Sequence, residues 1–361
     1  MPIKVDFNLL LEVYVKILKT TGMSSENAYL GAKVLATADM WGDPFHGGMS
    51  LSKFVEIAKE GGMNPLAEMK VVKEGDSWAI VDGNDGLGHV TSCKAMDLAI
   101  QKAKKNGGIS IVGVKNSMHF GDAGYYALMA AKEDMIGLAM SNVDPVMTVP
   151  GGAGRILGNN PLAYAVPAGK EKPVFLDIAM SKVAGGKLHY AKAKGESIPE
   201  GWAVDSLGNP LTDPSLYHKN GGALLPMAGH KGYGLALLVE ILAGVITGAA
   251  MTKDISVWAE ECSIPSNEGH SFMVINIESL MPLEEFKERM DSLIRYIKES
   301  PKAQGVDRIY LPGEMELERE EKARKEGVVL VDPVLESLKK TTKDLNMESD
   351  FKALVGNKKN M

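Results

Sequence analysis

Residues 232–251, GYGLALLVEILAGVITGAAM, form an apolar run about as long as a bilayer is thick, with a single carboxylate, Glu240, near its middle. A lone charge halfway across lipid is costly, and no other stretch of the 361-residue chain has this character. The run therefore reads as a helix buried on all sides, which requires a large core around it. Composition allows one: 45% of the residues are hydrophobic and 24% charged, enough for two or three domains of an enzyme-sized globular protein.

Forty Lys and Arg against 46 Asp and Glu give a net charge of -6, so nothing attracts the chain as a whole to nucleic acid or to an anionic membrane. An anionic small-molecule substrate must then be held by individual cations placed for it. The two cysteines, Cys93 and Cys262, are far apart and in no metal-ligand or CxxC spacing. Two buried free thiols in a reducing compartment are expected, with no metal site. The N-terminus repeats Leu10, Val13 and Ile17 at helical spacing instead of carrying a signal peptide's apolar core, which points to the cytoplasm.

Two amphipathic helices fill the first fifty residues, the second capped near Ser24-Ser25-Glu26 and running to about Met40. A third, residues 51–59, ends at Gly61-Gly62, and a domain boundary falls there. From Met69 the chain alternates strand-like runs (MKVVKEG, SWAIVDG, ISIVGVKN, IGLAMSN, LAYAVPA, PVFLDIA) with helices at about 90–105 and 123–132, the pattern of an α/β sheet. The strand FMVINI and a helix over 283–297 follow the apolar run. Residues 314–340 read as charged helix, and residues 357–360 as a frayed end.

A dinucleotide site of the doubly wound kind would show G-x-G-x-x-G after a strand. Neither Gly86-Leu87-Gly88 nor Gly152-Ala153-Gly154 completes it, and each reads better as a turn. Two histidines stand in glycine-punctuated strings, Asp43-Pro44-Phe45-His46-Gly47-Gly48 and Asn116-Ser117-Met118-His119-Phe120-Gly121. Each is either ligand-facing or a hydrogen-bonded core histidine. His89 precedes a helix and is placed to cap it. The string 229–234, GHKGYG, leads into the apolar helix, so Lys231 and free backbone amides meet at a helix N-terminus, an anion site. Asp144 and Asp177 end strands, where either a ligand contact or a loop-starting carboxylate fits.

Together these strings resemble the malate/L-lactate dehydrogenase-like family, whose fold is not of the Rossmann type. The distinctive pieces are ADMWGDPFHGGMSL (38–51), HFGDAGYYA (119–127), LGNNPLAYAVPAG (157–169), PVFLDIAMS (173–181), IPEGWAVDSLGNPLTDP (198–214) and GHKGYGLALLVEILAGVITG (229–248). The resemblance implies a homodimer and an α/β mixed-sheet domain, residues 67–282, that binds NAD, with NADP as the alternative. Helical parts from both chain ends, residues 1–66 and 283–361, pack beside it. It further implies cofactor contacts at Val143, Asp177, Ile178, Ala179, Lys231, Gly232, Pro312, Gly313 and Glu314. His46 and His119 become the catalytic histidines and Asp144 an active-site acid, set to orient His119. The implied reaction is hydride transfer between the nicotinamide and C2 of a 2-hydroxy or 2-oxo acid. Reduction of a cyclic imino acid, or nucleotide binding without turnover, are the alternatives.

In the resembling family a serine precedes the first histidine and an arginine, which grips the substrate carboxylate, follows it by four residues. Phe45 and Ser50 stand at those positions here. A hydroxyl cannot replace a bidentate guanidinium. Lys53, Lys115 or Arg155 is then left to hold the carboxylate, or Phe45 walls a bulkier, less charged substrate; Phe45, Ser50 and Lys53 are the candidate substrate contacts.

Overall fold

Asp6 accepts hydrogen bonds from the amides of Asn8 and Leu9, and Ser24 from that of Asn27, and these two caps start the first two long helices of the computed structural model, which describes residues 2–219 and 221–356. In chain order the elements are β1 (Ile3–Val5), α1 (Phe7–Lys19), α2 (Ser25–Trp41), α3 (Leu51–Glu60), β2 (Lys70–Glu74), β3 (Trp78–Asp82), α4 (Gly88–Asn106), β4 (Ile109–Ser117), α5 (Ala123–Ala131), β5 (Met135–Ser141), β6 (Leu162–Val166) and β7 (Val174–Ile178). They continue with α6 (Gly185–Lys194), β8 (Ala203–Val204), β9 (Pro210–Leu211), α7 (Leu216–Lys219), β10 (Ala223–Leu224), α8 (His230–Glu240), β11 (Glu268–Asn276), α9 (Leu283–Glu299), α10 (Glu314–Glu326), β12 (Val328–Leu330), α11 (Asp332–Asp344) and α12 (Glu348–Gly356). Residues 357–360, expected to fray, lie outside the described residues.

Seven strands form the main sheet in the order β2-β3-β4-β11-β5-β6-β7, and only β3 and β4 pair in parallel. The architecture is α/β with a mixed, mainly antiparallel sheet, as the resemblance implies. Small residues let the helices lie close on it: Ala139, Ala163 and Ala165 are fully buried, and a Cβ on Gly137 would stand 2.5 Å from the Ala127 carbonyl oxygen of α5. β4 and β5 both run against β11, and β5 and β7 both run against β6. The carboxyl ends of β3, β4, β5 and β7 therefore meet at one end of the sheet.

A second core joins the two chain ends, with Leu10, Tyr14 and Leu35 packed against Val328, Val334 and Leu338. Here the expected helix over 314–340 is broken. Gly327 (φ +102°) ends α10, and β12 pairs antiparallel with β1, a strand not foreseen. Partners more than 300 residues apart leave no local periodicity to read.

The apolar run also departs from expectation. It forms α8 followed by a π-helical turn, Ile241–Val245, and no helix among the described residues is long and apolar enough to cross a membrane. One face is buried, through Ala236, Val239, Glu240, Ala243 and Thr247. The other is bare, with Leu238 44%, Val245 55% and Ile246 57% exposed. Glu240 explains its own presence: its carboxylate accepts from Asn160 Nδ2 (2.8 Å), Asn142 Nδ2 (3.3 Å) and the Thr252 amide (3.0 Å), fastening the helix to the ends of β5 and β6.

Candidate active site

The loop carrying His46 leaves α2 at Gly42 (φ +86°) and is tied down by acids. Asp39 accepts from the Tyr14 hydroxyl (2.7 Å) and the Gly48 amide (3.0 Å). Gly47 and Gly48 are needed for this approach, since a Cβ on Gly47 would come 2.5 Å from Asp39 Oδ1. Burial raises Asp39 to about 7, against the pull of Tyr14 and the Gly48 amide. Asp43 accepts from the amides of Phe45 (3.1 Å) and His46 (3.2 Å), turning the chain so that its second oxygen meets His46 Nδ1 at 3.0 Å.

The same Nδ1 is 2.8 Å from Asp122 Oδ1. Asp122 stands at the N-cap of α5 yet makes no side-chain hydrogen bond to the helix amides; Asp177, from the end of β7, takes the Gly124 amide at 2.7 Å. That exchange frees Asp122 for the histidine. Burial works against a charged His46, but the charge and hydrogen bond of Asp122, with Asp43, outweigh it and hold the imidazole well above its usual value. Burial likewise pushes Asp43 up, yet its bond to His46 keeps it below the ordinary range. The donor atoms of Asp43, His46 and Asp122 lie within 4.8 Å of one another, a spacing a divalent cation can share, but the imidazolium already places positive charge between the two carboxylates.

His119 follows β4 directly, and its ring lies 5.3 Å from that of His46. Trp258 stacks on His119 at 4.7 Å and 12°, with Phe54 stacked in turn on Trp258 at 5.5 Å. Burial lowers His119 well below the usual histidine value, and the charge of His46 lowers it further. Its Nε2 is buried without a hydrogen-bond partner. One histidine is thus held charged and its neighbour neutral.

Asp144, the acid expected to orient His119, makes no hydrogen bond to it; Asp122, on the other histidine, takes the part of a paired carboxylate. Asp144 lies past the end of β5, where burial raises its carboxyl and Arg155 opposes that rise. His89 does not cap α4. It lies inside the helix, fully buried, with both ring nitrogens unpartnered. Ser50 is buried and donates to the Phe45 carbonyl oxygen at 2.5 Å, so its hydroxyl closes the loop and is not turned to a ligand. Lys53 pairs with Glu56 at 2.8 Å and lies 3.6 Å from Cys262 Sγ. Arg155 donates to the Gly222 carbonyl oxygen at 2.9 Å with its guanidinium over the Tyr217 ring. Lys115 is in register with Asp82 inside the sheet. Both cysteines are buried and free.

Among the expected cofactor contacts, Val143, Asp177, Ile178 and Ala179 gather at the shared carboxyl end of β5 and β7. Gly232 brings the start of α8 against this end, since a Cβ there would stand 3.1 Å from the Met180 carbonyl oxygen. Lys231 beside it, at the start of α8 as expected, is exposed and unpaired. Pro312 accepts from the Phe175 amide at 3.2 Å, holding the 312–314 turn to β7. Glu314 is spent on Lys298 (2.5 Å), Arg308 and the Leu311 amide (3.0 Å), which overcome its burial and bring it down to about 2. Only backbone is left there for a ligand.

Asp43 and Asp122 were within view in the strings that carry the histidines; an acid three residues from each imidazole was the available signal. Trp258 had none.

Two adjacent imidazoles held in opposite charge states, one of them just past the carboxyl end of β4, are the equipment of an acid/base enzyme. Comparison with known proteins narrows the class. Residues 5–339 match the model of the family described as malate/L-lactate dehydrogenase. The malate dehydrogenase of Pyrococcus horikoshii is 43% identical over 96% of each chain. The structure of sulfolactate dehydrogenase from Methanocaldococcus jannaschii superposes with a TM-score of 0.89 at 36% identity over 98% of this chain and 100% of that one. That of Δ1-piperideine-2-carboxylate reductase from Pseudomonas syringae superposes at 0.83 and 27% identity, over 94% and 99%. The chain belongs to the malate/L-lactate dehydrogenase family and is an oxidoreductase of the hydroxy-acid dehydrogenase kind, which implies a nicotinamide cofactor and a small-molecule substrate.

Proposed function

We propose that the chain moves a hydride between NAD or NADP and C2 of a 2-hydroxy or 2-oxo acid, with His119 handling the hydroxyl proton and His46 holding the substrate oxygen. The observation that carries this reading is the opposite charge state imposed on two imidazoles 5.3 Å apart. Environments that drive neighbouring titratable groups apart separate the acid/base role from the electrostatic one.

In oxidation, neutral His119 takes the hydroxyl proton at Nε2; in reduction it returns it. His46 has both carboxylates on Nδ1, which leaves Nε2–H to donate to the substrate oxygen that gains negative charge. A bound nicotinamide supplies or accepts the hydride. The unpaired ammonium of Lys231 beside the end of β7 suits its phosphates, and Val143, Ile178, Ala179, Gly232 and the backbone of Pro312 and Gly313 would hold the rest.

The bare apolar face of α8 and the turn after it supports a homodimer in which a second copy covers Leu238, Val245 and Ile246. Sedimentation should give twice the chain mass of 38.8 kDa; a single-chain mass at micromolar concentration would overturn this.

The proton on His46 gives a test of sign. A raised pKa keeps the cation present above the usual 6.5 and loses it only as pH climbs through the raised value. In NAD(P)H-coupled assays with 2-oxo acids, Asp122→Asn should move the alkaline limb of kcat/KM down by about one pH unit or more, an opposite charge having been removed from within 4 Å. An unmoved limb would show that His46 does not govern the reaction.

A further inference from the structure

We propose that this chain takes a 2-oxo or 2-hydroxy monocarboxylate with an apolar substituent on C3 and discriminates against dicarboxylates. This rests on the hydride-transfer reading above and adds the substrate class. Three observations on the His46 loop carry it.

Phe45 is 51% exposed, and its ring meets His46 edge-on at 5.8 Å. An exposed ring therefore stands beside His46, while Trp258 stacks on His119. A substrate bound against His46 has this exposed aromatic ring beside it, and covering the ring removes apolar surface from water.

Ser50 gives the site no polar hand, because its hydroxyl is committed to the Phe45 carbonyl and the residue is buried. That bond also holds Phe45 in place on the loop.

Cations are short where a second carboxylate would need one. His46 offers a single free N–H, at Nε2, and the oxygen on C2 takes it. Asp43 and Asp122 flank it with negative charge. Lys53 is paired with Glu56, and Arg155 is bound to the Gly222 carbonyl, stacked on Tyr217 and close enough to Asp144 to lower its carboxyl. A second carboxylate on C3 would find neither Lys53 nor Arg155 free and an exposed phenyl ring beside it, whereas an alkyl or aryl group gains from the ring.

The test compares kcat/KM for phenylpyruvate, 4-methyl-2-oxopentanoate and oxaloacetate at saturating NADH or NADPH. The wild-type protein should favour one of the first two over oxaloacetate at least tenfold. Phe45→Ser, a change on an exposed loop, should shrink that ratio at least fivefold by loss of the apolar substrate's kcat/KM. Oxaloacetate equal to or better than both apolar substrates in the wild-type protein would overturn the proposal while leaving the hydride-transfer reading intact. No turnover of any 2-oxo acid, with cofactor still bound, would overturn both.

Discussion

His119→Ala should lower kcat about a thousandfold while changing the affinity for NADH or NADPH by no more than a few-fold. The size follows from what the side chain does. General acid/base catalysis by a placed imidazole contributes roughly a hundred- to ten-thousandfold, and nothing else near C2 is placed to take the proton. Asp144 makes no hydrogen bond to His119, and His46 is committed through Nδ1 to two carboxylates. The His119 ring is oriented by stacking on Trp258 and kept neutral by burial and by the positive charge next to it. Steady-state kinetics paired with a fluorescence titration of the cofactor separates the two effects. A variant within tenfold of the wild-type kcat would remove His119 from the proton-transfer role.

Gly88→Ala should be among the most damaging single methyl groups that could be added to the chain. A Cβ at Gly88 would overlap the Met118 carbonyl oxygen and stand 2.5 Å from the His119 carbonyl oxygen. Both are backbone atoms at the junction of β4 with the catalytic loop, so no side-chain rotation relieves the clash. Overpacking of this kind costs about 3 kcal/mol. For a chain of this length that is a fall in Tm of roughly 4 °C, with kcat falling too because His119 is attached to the displaced carbonyl. Gly186→Ala is the contrast. Its Cβ meets nothing within 4 Å in the first turn of α6, so it should be neutral or slightly stabilising. Thermal unfolding of the two variants side by side checks this, and equal Tm values would contradict it.

The seven strands of the main sheet and most helices were legible because each has its own period and its own punctuation. α2, α4 and α5 appear within two residues of the expected spans, bounded by Ser24, Gly107 and Asp122. What escaped was whatever depends on a distant partner. β1 and β12 are three-residue strands with no alternation to speak of, formed only because Gly327 turns the chain back onto Val5. The run containing Glu240 looked buried all round because apolar composition records that a face is covered without recording by what. The same division holds in the site. His46 and His119 were picked out by glycines that make room around them. The acid that gives His46 its charge comes from 76 residues away and was not named; the acid expected in the site, Asp144, was assigned to His119, since an acid at a strand end is as good a candidate as an acid at a helix start until the fold brings one of them to 2.8 Å.

The most direct measurement follows the isotope. With NADH or NADPH carrying deuterium at both C4 positions of the nicotinamide and a 2-oxo acid that supports turnover, the 2-hydroxy acid formed should gain one mass unit, located at C2. Turnover in which the label stays on the cofactor or is lost to solvent would contradict direct hydride transfer at this histidine pair.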